Sequence, residues 1–164
     1  MTILGIDPGL SITGYGIMHK EQRSTTIIDY GAVRFSSNKS LEVRLGQFYE
    51  IFAEKIAAQP ISQIALETPF LGKNPQNFLK LGYLRGIIYL LAHQHNVPIV
   101  EFSPREIKRA VTGSGAAQKE QVARALAQLF KGFVIPKTLD ITDALAVTLC
   151  ATWKSSSHTS LSSR

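Results

Sequence analysis

The segment LGIDPGLSITGYG, residues 4–16, constrains the fold more than any other stretch of the chain. Residues 3–6 are apolar apart from one glycine, which favours a central strand buried on both faces. Pro8 has no backbone N–H to donate, so the strand ends beside Asp7. Asp7 is therefore a carboxylate at the end of a buried strand. It could belong to a turn, a phosphate-binding loop or a metal site.

The remaining pattern predicts an α/β fold with a mixed sheet of five strands flanked by helices. The predicted strands are residues 3–6, 13–19, 25–35, 61–67 and 97–102, of which the first three form a meander. The predicted helices follow Ser40, Asn74 and Ser103, or begin near Gln118 and Asp140. No linker or repeat interrupts this order, so residues 1–153 are predicted to form a single domain. The serine-rich tail, 154–164, is expected to be disordered.

Charge and cysteine content narrow the classes of function. The chain has 164 residues and a net charge of +6, which favours a polyanion as partner, nucleic acid before a membrane surface. Cys150 is the only cysteine, so an intrachain disulfide is impossible and a thiolate zinc site is disfavoured. The longest apolar run, residues 87–92, is too short to span a bilayer, and the N-terminus lacks a secretion-signal pattern. We expect a soluble, cytoplasmic protein.

Four carboxylates stand at positions where the predicted elements can bring them together. Asp7 and Glu67 each end a strand, whereas Asp140 and Asp143 lie three residues apart in the first turn of the last helix. Taken singly, each has an ordinary interpretation as a turn residue, a loop carboxylate or a helix-terminal charge. The joint pattern favours a shared site, because the chain has only 12 acidic residues.

Converging carboxylates repel one another, and a divalent cation removes that penalty. An all-oxygen ligand set selects a hard ion, Mg²⁺ or Mn²⁺, over zinc. Two such ions suit in-line displacement at a phosphodiester. The acidic centre and the basic chain together therefore indicate metal-dependent phosphodiester chemistry on a polyanion.

Basic and aromatic residues between the carboxylates are candidates for contact with nucleic acid. Lys119 is the most suggestive, because it begins a helix after a glycine-rich loop, a setting that suits phosphate. Phe70 lies in a loop after Glu67, where it is either a core residue or an aromatic that stacks on an unpaired base. The other candidates are Lys73, Lys80, Arg85, Arg105, Lys108 and Arg109.

Four segments resemble the RuvC-type Holliday-junction resolvases. They are GIDPGLSITGYG, LETPFLGKNPQNFLKLGYLRG, SPREIKRAVTGSGAAQKEQV and LDITDALAVTLC, and the resemblance extends to about Trp153. It implies an RNase H-like fold and a homodimer that makes paired symmetric nicks in four-way DNA junctions, in recombination and repair. It also implies Mg²⁺, two ions per subunit with Mn²⁺ as a substitute, and a branch-migration complex of RuvA and RuvB as partner.

The resemblance assigns roles to particular residues. It implies that Asp7, Glu67, Asp140 and Asp143 hold the metal and that Lys119 lies beside the scissile phosphate. Lys108 is a weaker candidate for DNA contact, and Phe70 falls on the position of a junction-wedging aromatic. The family also places the helix after Asn74 at the dimer interface, where Gly82 and Gly86 suggest close packing against another backbone.

Three alternatives stay open at this point. Asp7-Pro8-Gly9-Leu10-Ser11 also resembles the phosphate loop of sugar kinases and actin-like ATPases, although those need two related domains. An RNase H-like domain that binds nucleic acid without cutting it is disfavoured by the complete acidic set. A nuclease of the same fold that acts on another structured nucleic acid is the third.

Overall fold

The computed structural model describes residues 1–22, 24–69 and 75–158, which form five strands and five helices. The strands are β1 (Thr2–Asp7), β2 (Ile12–Glu21), β3 (Ser24–Arg34), β4 (Ile61–Glu67) and β5 (Ile99–Phe102). The helices are α1 (Leu41–Ala58), α2 (Pro75–Gln94), α3 (Pro104–Thr112), α4 (Lys119–Leu129) and α5 (Leu139–His158). The predicted element order is confirmed. None of the helices in the described ranges is long and apolar enough to cross a membrane.

The five strands form one mixed sheet in the order β3-β2-β1-β4-β5. Strands β1, β2 and β3 are antiparallel, whereas β1, β4 and β5 run parallel. Parallel neighbours end at the same edge, and Ile6 pairs with Leu66 immediately before the last residue of each strand. The fold class is therefore confirmed, and the sheet brings the ends of β1 and β4 side by side.

Two hydrophobic layers cover the faces of the sheet. Side chains alternate between them along β1, so that Ile6 packs with α1 and α2 whereas Ile3 packs with α3, α4 and α5. Phe48 and Phe52 of α1 are fully buried in the first layer, and Leu145 of α5 is buried in the second. Asp7 and Glu67, an even number of residues after Ile3 and Ala65, therefore face the α5 side.

Glycines in β1 and β2 let α5 lie directly on the sheet. A Cβ atom added at Gly14 would come within 2.0 Å of the backbone oxygen of Asp140, and one added at Gly5 within 2.0 Å of Oγ1 of Thr148. Gly14 pairs with Asp7 in the β1–β2 ladder. The absence of a side chain at Gly14 therefore allows the first turn of α5 to approach the end of β1.

Several local expectations can be compared with the structure. Ser103 and Glu106 form the predicted capping box, in which the Glu106 amide donates to Oγ of Ser103 over 3.3 Å. Helix α5 continues past Trp153 to His158, into the first residues of the segment that was expected to be disordered. Residues 159–164 lie outside the described part of the chain.

Candidate active site

The four carboxylates come from three elements that meet at one edge of the sheet. Asp7 is the last residue of β1, and Glu67 is the last residue of the parallel neighbour β4. Asp140 and Asp143 lie in the first turns of α5, which packs across β1 and β2. Asp7, Glu67 and Asp143 line a cavity of about 220 Å³ together with Lys108 and Lys119.

The turn after Asp7 is closed by a buried threonine. Oγ1 of Thr13 accepts a hydrogen bond from the Gly9 amide over 3.1 Å and donates to the Gly9 carbonyl over 2.9 Å. Thr13 is completely buried, so the threonine end of both hydrogen bonds is shielded from water. This arrangement fixes the chain that follows Asp7 and keeps the carboxylate at the strand end. Thr13 is a residue that the sequence interpretation did not single out.

The carboxylates influence one another electrostatically. Burial, followed by repulsion from Asp143, Asp140 and Glu67, raises the pKa of Asp7 from 3.8 to about 7. Burial and the charge of Asp143 also raise the pKa of Glu67, whereas Lys119 and Lys108 act in the opposite direction. Asp7, Glu67 and Asp143 line one cavity, so the structure brings these three carboxylates together, and Asp140 acts on Asp7 through its charge.

Two lysines provide the positive charge of the site. Lys119, the first residue of α4, donates from Nζ to Oδ2 of Asp143 over 2.5 Å. This hydrogen bond to Asp143 raises the pKa of Lys119, so the ammonium stays charged at neutral pH. Lys108 of α3 lines the same cavity. Both cations therefore lie where a phosphate group could approach the carboxylates.

The donor chemistry of this site fits a divalent hard cation. Asp7, Glu67, Asp140 and Asp143 offer only carboxylate oxygens, and the pKa of Asp7 is raised first by burial and then by the neighbouring carboxylates. Within the described residues, no three Asp, Glu, His or Cys side chains are grouped closely enough to hold a metal ion as they stand. Asp143 is turned toward Lys119 instead. Metal coordination therefore requires side-chain rotation within the cluster.

The raised pKa of Asp7 leads to a prediction about stability in the absence of divalent ions. Because its pKa is higher in the folded state, about 7 against 3.8, ionised Asp7 destabilises the fold at neutral pH but not below pH 4. In EDTA at pH 8, Asp7→Asn is expected to raise the free energy of unfolding by roughly 2–4 kcal/mol, at ~1.4 kcal/mol per pKa unit. At pH 4 the gain should nearly vanish. Urea titrations at both pH values measure it.

Asp29→Asn provides the matched control for this prediction. Asp29 is half-exposed, lies away from the cluster and pairs with Nζ of Lys55 over 3.2 Å. Its replacement should change the free energy of unfolding by no more than ~1 kcal/mol, and in the destabilising direction. Equal stability of Asp7→Asn and the wild-type protein at pH 8 would contradict the electrostatic interpretation of the cluster.

The other residues that were predicted to contact nucleic acid differ in how exposed they are. Lys80 on α2 and Arg105 on α3 are exposed, and Arg105 packs over Gly115. Arg85 is not free for DNA, because it is turned inward to the carbonyl of Glu67 and the carboxylate of Glu101. The sequence did not indicate this, because no residue near Arg85 in the chain shows that its partners lie on β4 and β5. Phe70 and Lys73 lie outside the described residues.

A larger cavity elsewhere lacks comparable chemistry. It measures about 510 Å³ and lies between residues 25–30 of β3 and residues 129–133. Its one acidic residue, Asp29, is paired with Lys55. The smaller acidic cavity is therefore the candidate active site, because it alone of these two brings several carboxylates together with two lysines.

The strand order is that of an RNase H-like fold, and carboxylates from β1, β4 and α5 lie at one of its edges. Residues 3–151 match the model of the family described as crossover junction endodeoxyribonuclease RuvC. The chain belongs to this family, whose nucleases are metal-dependent. The resemblance inferred from the four segments is thereby confirmed, and the kinase-like interpretation of residues 7–11 is not supported.

Individual relatives agree with this assignment. The chain is 46% identical over 151 residues to a crossover junction endodeoxyribonuclease RuvC of Chlorobium phaeovibrioides, covering 92% of this chain and 80% of that protein. It is 41% identical over 157 residues to the one of Chloroherpeton thalassium, covering 96% and 84%. The structure of T. thermophilus RuvC in complex with a Holliday junction substrate matches with a TM-score of 0.90 at 24% identity, over 97% of each chain.

Proposed function

We propose that this protein is a metal-dependent endonuclease that resolves four-way (Holliday) DNA junctions by paired symmetric nicks, in homologous recombination and DNA repair. The observation that carries the proposal is the cluster of Asp7, Glu67, Asp140 and Asp143 beside Lys119, in a chain that belongs to the RuvC family. A solved relative with the same fold is in complex with a Holliday junction substrate.

The four carboxylates would hold Mg²⁺, two ions per subunit, with Mn²⁺ as a substitute. Such ions activate a water molecule and stabilise the leaving oxygen of a phosphodiester. The protein's own residues supply the rest of the chemistry. Asp7 contributes charge from inside the fold, and Lys119 and Lys108 face the cavity from α4 and α3. A phosphate between these lysines and the carboxylates would be oriented by both.

The DNA path extends from this cavity over the basic surface. With a net charge of +6, the chain suits a partner that carries one negative charge per nucleotide. Lys108 and Lys119 are proposed to contact the phosphates next to the cut, and exposed Lys80 and Arg105 are proposed to hold the arms. The roles predicted for Phe70 and Lys73 stay predictions.

We further propose that two copies of the chain pair through α2. Leu84, Ile88 and Leu91 bury one face of this helix in the core. The other face is also apolar, with Leu79, Tyr83 and Leu90 among its exposed side chains. A helix that is apolar all round is normally covered on all sides. Within the chain itself, a Cβ added at Gly82 or Gly86 meets nothing within 4 Å, so these glycines leave room for a second backbone.

Gly86→Leu tests this interface. The added side chain meets open space within one copy, so the variant should fold normally. At the interface it should overpack, at ~1–3 kcal/mol, which corresponds to roughly 5- to 150-fold weaker dimerisation. Sedimentation equilibrium measures the change, and the monomeric fraction should nick junctions without coordination.

Gly46→Leu on α1 is the control for Gly86→Leu. It also introduces leucine at an exposed helical glycine with nothing within 4 Å, but on a different helix from the proposed interface. Its dimerisation should equal that of the wild-type protein. A Gly86→Leu variant that sediments as the normal dimer would contradict the α2 interface.

The proposed substrate also suggests a cellular location and protein partners. A junction nuclease of this family is proposed to act in the cytoplasm, where bacterial chromosomal DNA lies, together with a branch-migration complex of RuvA and RuvB. Pull-down of these proteins on a junction, compared with a linear duplex, would test the partnership.

One assay separates the proposed function from its alternatives. The protein is incubated with a synthetic four-way junction, a linear duplex and an RNA–DNA hybrid, each with Mg²⁺ or EDTA. We expect paired nicks in the junction alone, and only with Mg²⁺. Preferred cleavage of the hybrid would indicate another nucleic acid as substrate. Junction binding without cleavage under every condition would indicate a binding domain.

A further inference from the structure

The guanidinium of Arg85 connects the interface helix to the strand that carries a predicted metal ligand. Its Nη1 donates to the backbone carbonyl of Glu67 over 2.9 Å, and its Nη2 donates to Oε1 of Glu101. Oη of Tyr89, one turn further along α2, donates to the same Oε1 over 2.5 Å. The side chain of Arg85 is only 12% exposed. This is a closed network that joins α2, β4 and β5.

The carbonyl that Arg85 holds lies where regular pairing of β4 ends. Glu67 is the last residue of the strand, and Pro69 two residues later has no amide to extend the ladder. Glu101 is the β5 partner of Leu66 and faces the α2 side of the sheet. The carboxylate of Glu67 points to the opposite side, into the acidic cavity. Fixing the backbone of Glu67 from the α2 side therefore fixes the direction of its side chain.

We propose that Arg85 is a positioning residue for Glu67, held in place by Glu101 and Tyr89, and that it makes the acidic site depend on the placement of α2. The inference rests on the proposed function, since Glu67 is there a metal ligand. Outer-shell partners that orient a ligand typically change metal affinity or activity by about 10- to 100-fold when they are removed. A guanidinium is suited to this because its fork can reach a carbonyl and a carboxylate at once.

The test compares metal binding with DNA binding in Arg85→Met and Arg85→Lys. Isothermal titration of the protein alone with Mn²⁺ should show an affinity about 10- to 100-fold lower for both variants, because a lysine cannot span both acceptors. Junction affinity in EDTA should change by less than about twofold, with an unchanged salt slope. The single-turnover cleavage rate at saturating junction should then recover as Mn²⁺ is raised.

Two further variants keep the test decisive. Glu101→Gln removes the charge that holds Arg85 but keeps its shape, so it should shift Mn²⁺ affinity in the same direction by a smaller factor, even if Arg85→Met fails to fold. Arg124→Met, an exposed arginine on α4, is the matched control and should leave Mn²⁺ affinity unchanged. Circular dichroism confirms the fold of each variant.

The outcomes separate this inference from the proposed function. Unchanged Mn²⁺ affinity in Arg85→Lys and Glu101→Gln would overturn the positioning role. A salt slope lowered by about one unit in Arg85→Met would instead identify a phosphate contact. If the wild-type protein cut no junction, the proposed function would fail, yet the effect of Arg85 on Mn²⁺ binding could still be measured.

Discussion

Asp7→Asn, Glu67→Gln and Asp140→Asn should each abolish junction nicking while leaving junction affinity largely intact. Each change removes the charge of a proposed metal ligand and preserves the shape of the side chain. Catalytic metal ions supply several kcal/mol of transition-state stabilisation, and ~1.4 kcal/mol is tenfold in rate, so a loss of about 1,000-fold or more is expected. Binding should survive because the cations that face DNA are untouched, and because removal of a carboxylate reduces repulsion of phosphate.

The measurement is single-turnover cleavage of a saturated junction complex, with the dissociation constant determined separately in EDTA. Asp29→Asn, at a carboxylate paired with Lys55 away from the site, should cleave at the wild-type rate. Residual cleavage near the wild-type rate in any of the three variants would remove that residue from the metal site. Asp7→Asn should combine lost nicking with the gain in stability described above, a pairing that general misfolding cannot produce.

Asp143→Asn should be less severe than the other three changes. Asp143 lies one helical turn beyond Asp140 and is the carboxylate paired with Lys119. Because the charge of Asp143 is already shared with Lys119, we expect water to replace this proposed ligand in part. The same variant also frees Lys119, so part of the remaining activity should depend on that lysine.

Local chemistry explains why most of the secondary structure could be predicted. Pro8 ends β1, Ser103 and Glu106 cap α3, and Gly113 ends that helix in the left-handed conformation with φ of 80°. Each of these signals operates within a few residues, so a single sequence contains it in full. The predicted end of α5 near Trp153 differs from the observed end at His158, because no strong local stop signal lies between these two residues.

The strand order and the convergence of the carboxylates depend on tertiary contacts. No local pattern in residues 8–60 indicates that β4 pairs with β1. The carboxylates were predicted to converge only if these two strands were neighbours. The glycines at positions 5, 14 and 16 do indicate in the sequence where α5 packs on the sheet. They look like ordinary strand glycines in sequence, yet in space they form the surface on which α5 rests. Small residues that alternate in two adjacent strands therefore indicate where a helix lies against a sheet.

The side-chain partners in the site could not be predicted from residue type. Arg85 and Lys119 were grouped together as basic residues near the carboxylates. The structure places Arg85 behind Glu67 with its side chain largely buried, and Lys119 on the open side of the cavity beside Asp143. The two residues differ because α2, which carries Arg85, and α4, which carries Lys119, cover opposite faces of the sheet. Which face a helix covers is set by the topology. Their predicted variants differ accordingly, since Arg85 should act through metal affinity and Lys119 through the chemical step.

The contact between Lys119 and Asp143 sharpens the question of what this lysine does. A cation beside the scissile phosphate would stabilise charge that grows in the transition state, whereas a distant phosphate contact would only hold the substrate. Nζ of Lys119 lies 2.5 Å from Oδ2 of Asp143, and its side chain is 59% exposed, so it is at the site and accessible to DNA. The charge of Lys119 also opposes the rise in the pKa of Asp7, which favours the ionised form of that carboxylate.

Lys119→Ala is therefore expected to lower the single-turnover cleavage rate of bound junction by ~100-fold or more, the scale of a lost transition-state donor. The junction dissociation constant should change little, and Lys119→Arg should restore part of the rate. If Lys119 only anchors DNA, affinity should fall and the salt slope should drop by about one unit. Lys131→Ala, at an exposed lysine remote from the acidic cavity, controls for loss of one positive charge. Measuring rate and affinity at several salt concentrations decides between the two roles, and normal cleavage at saturation would end the catalytic assignment.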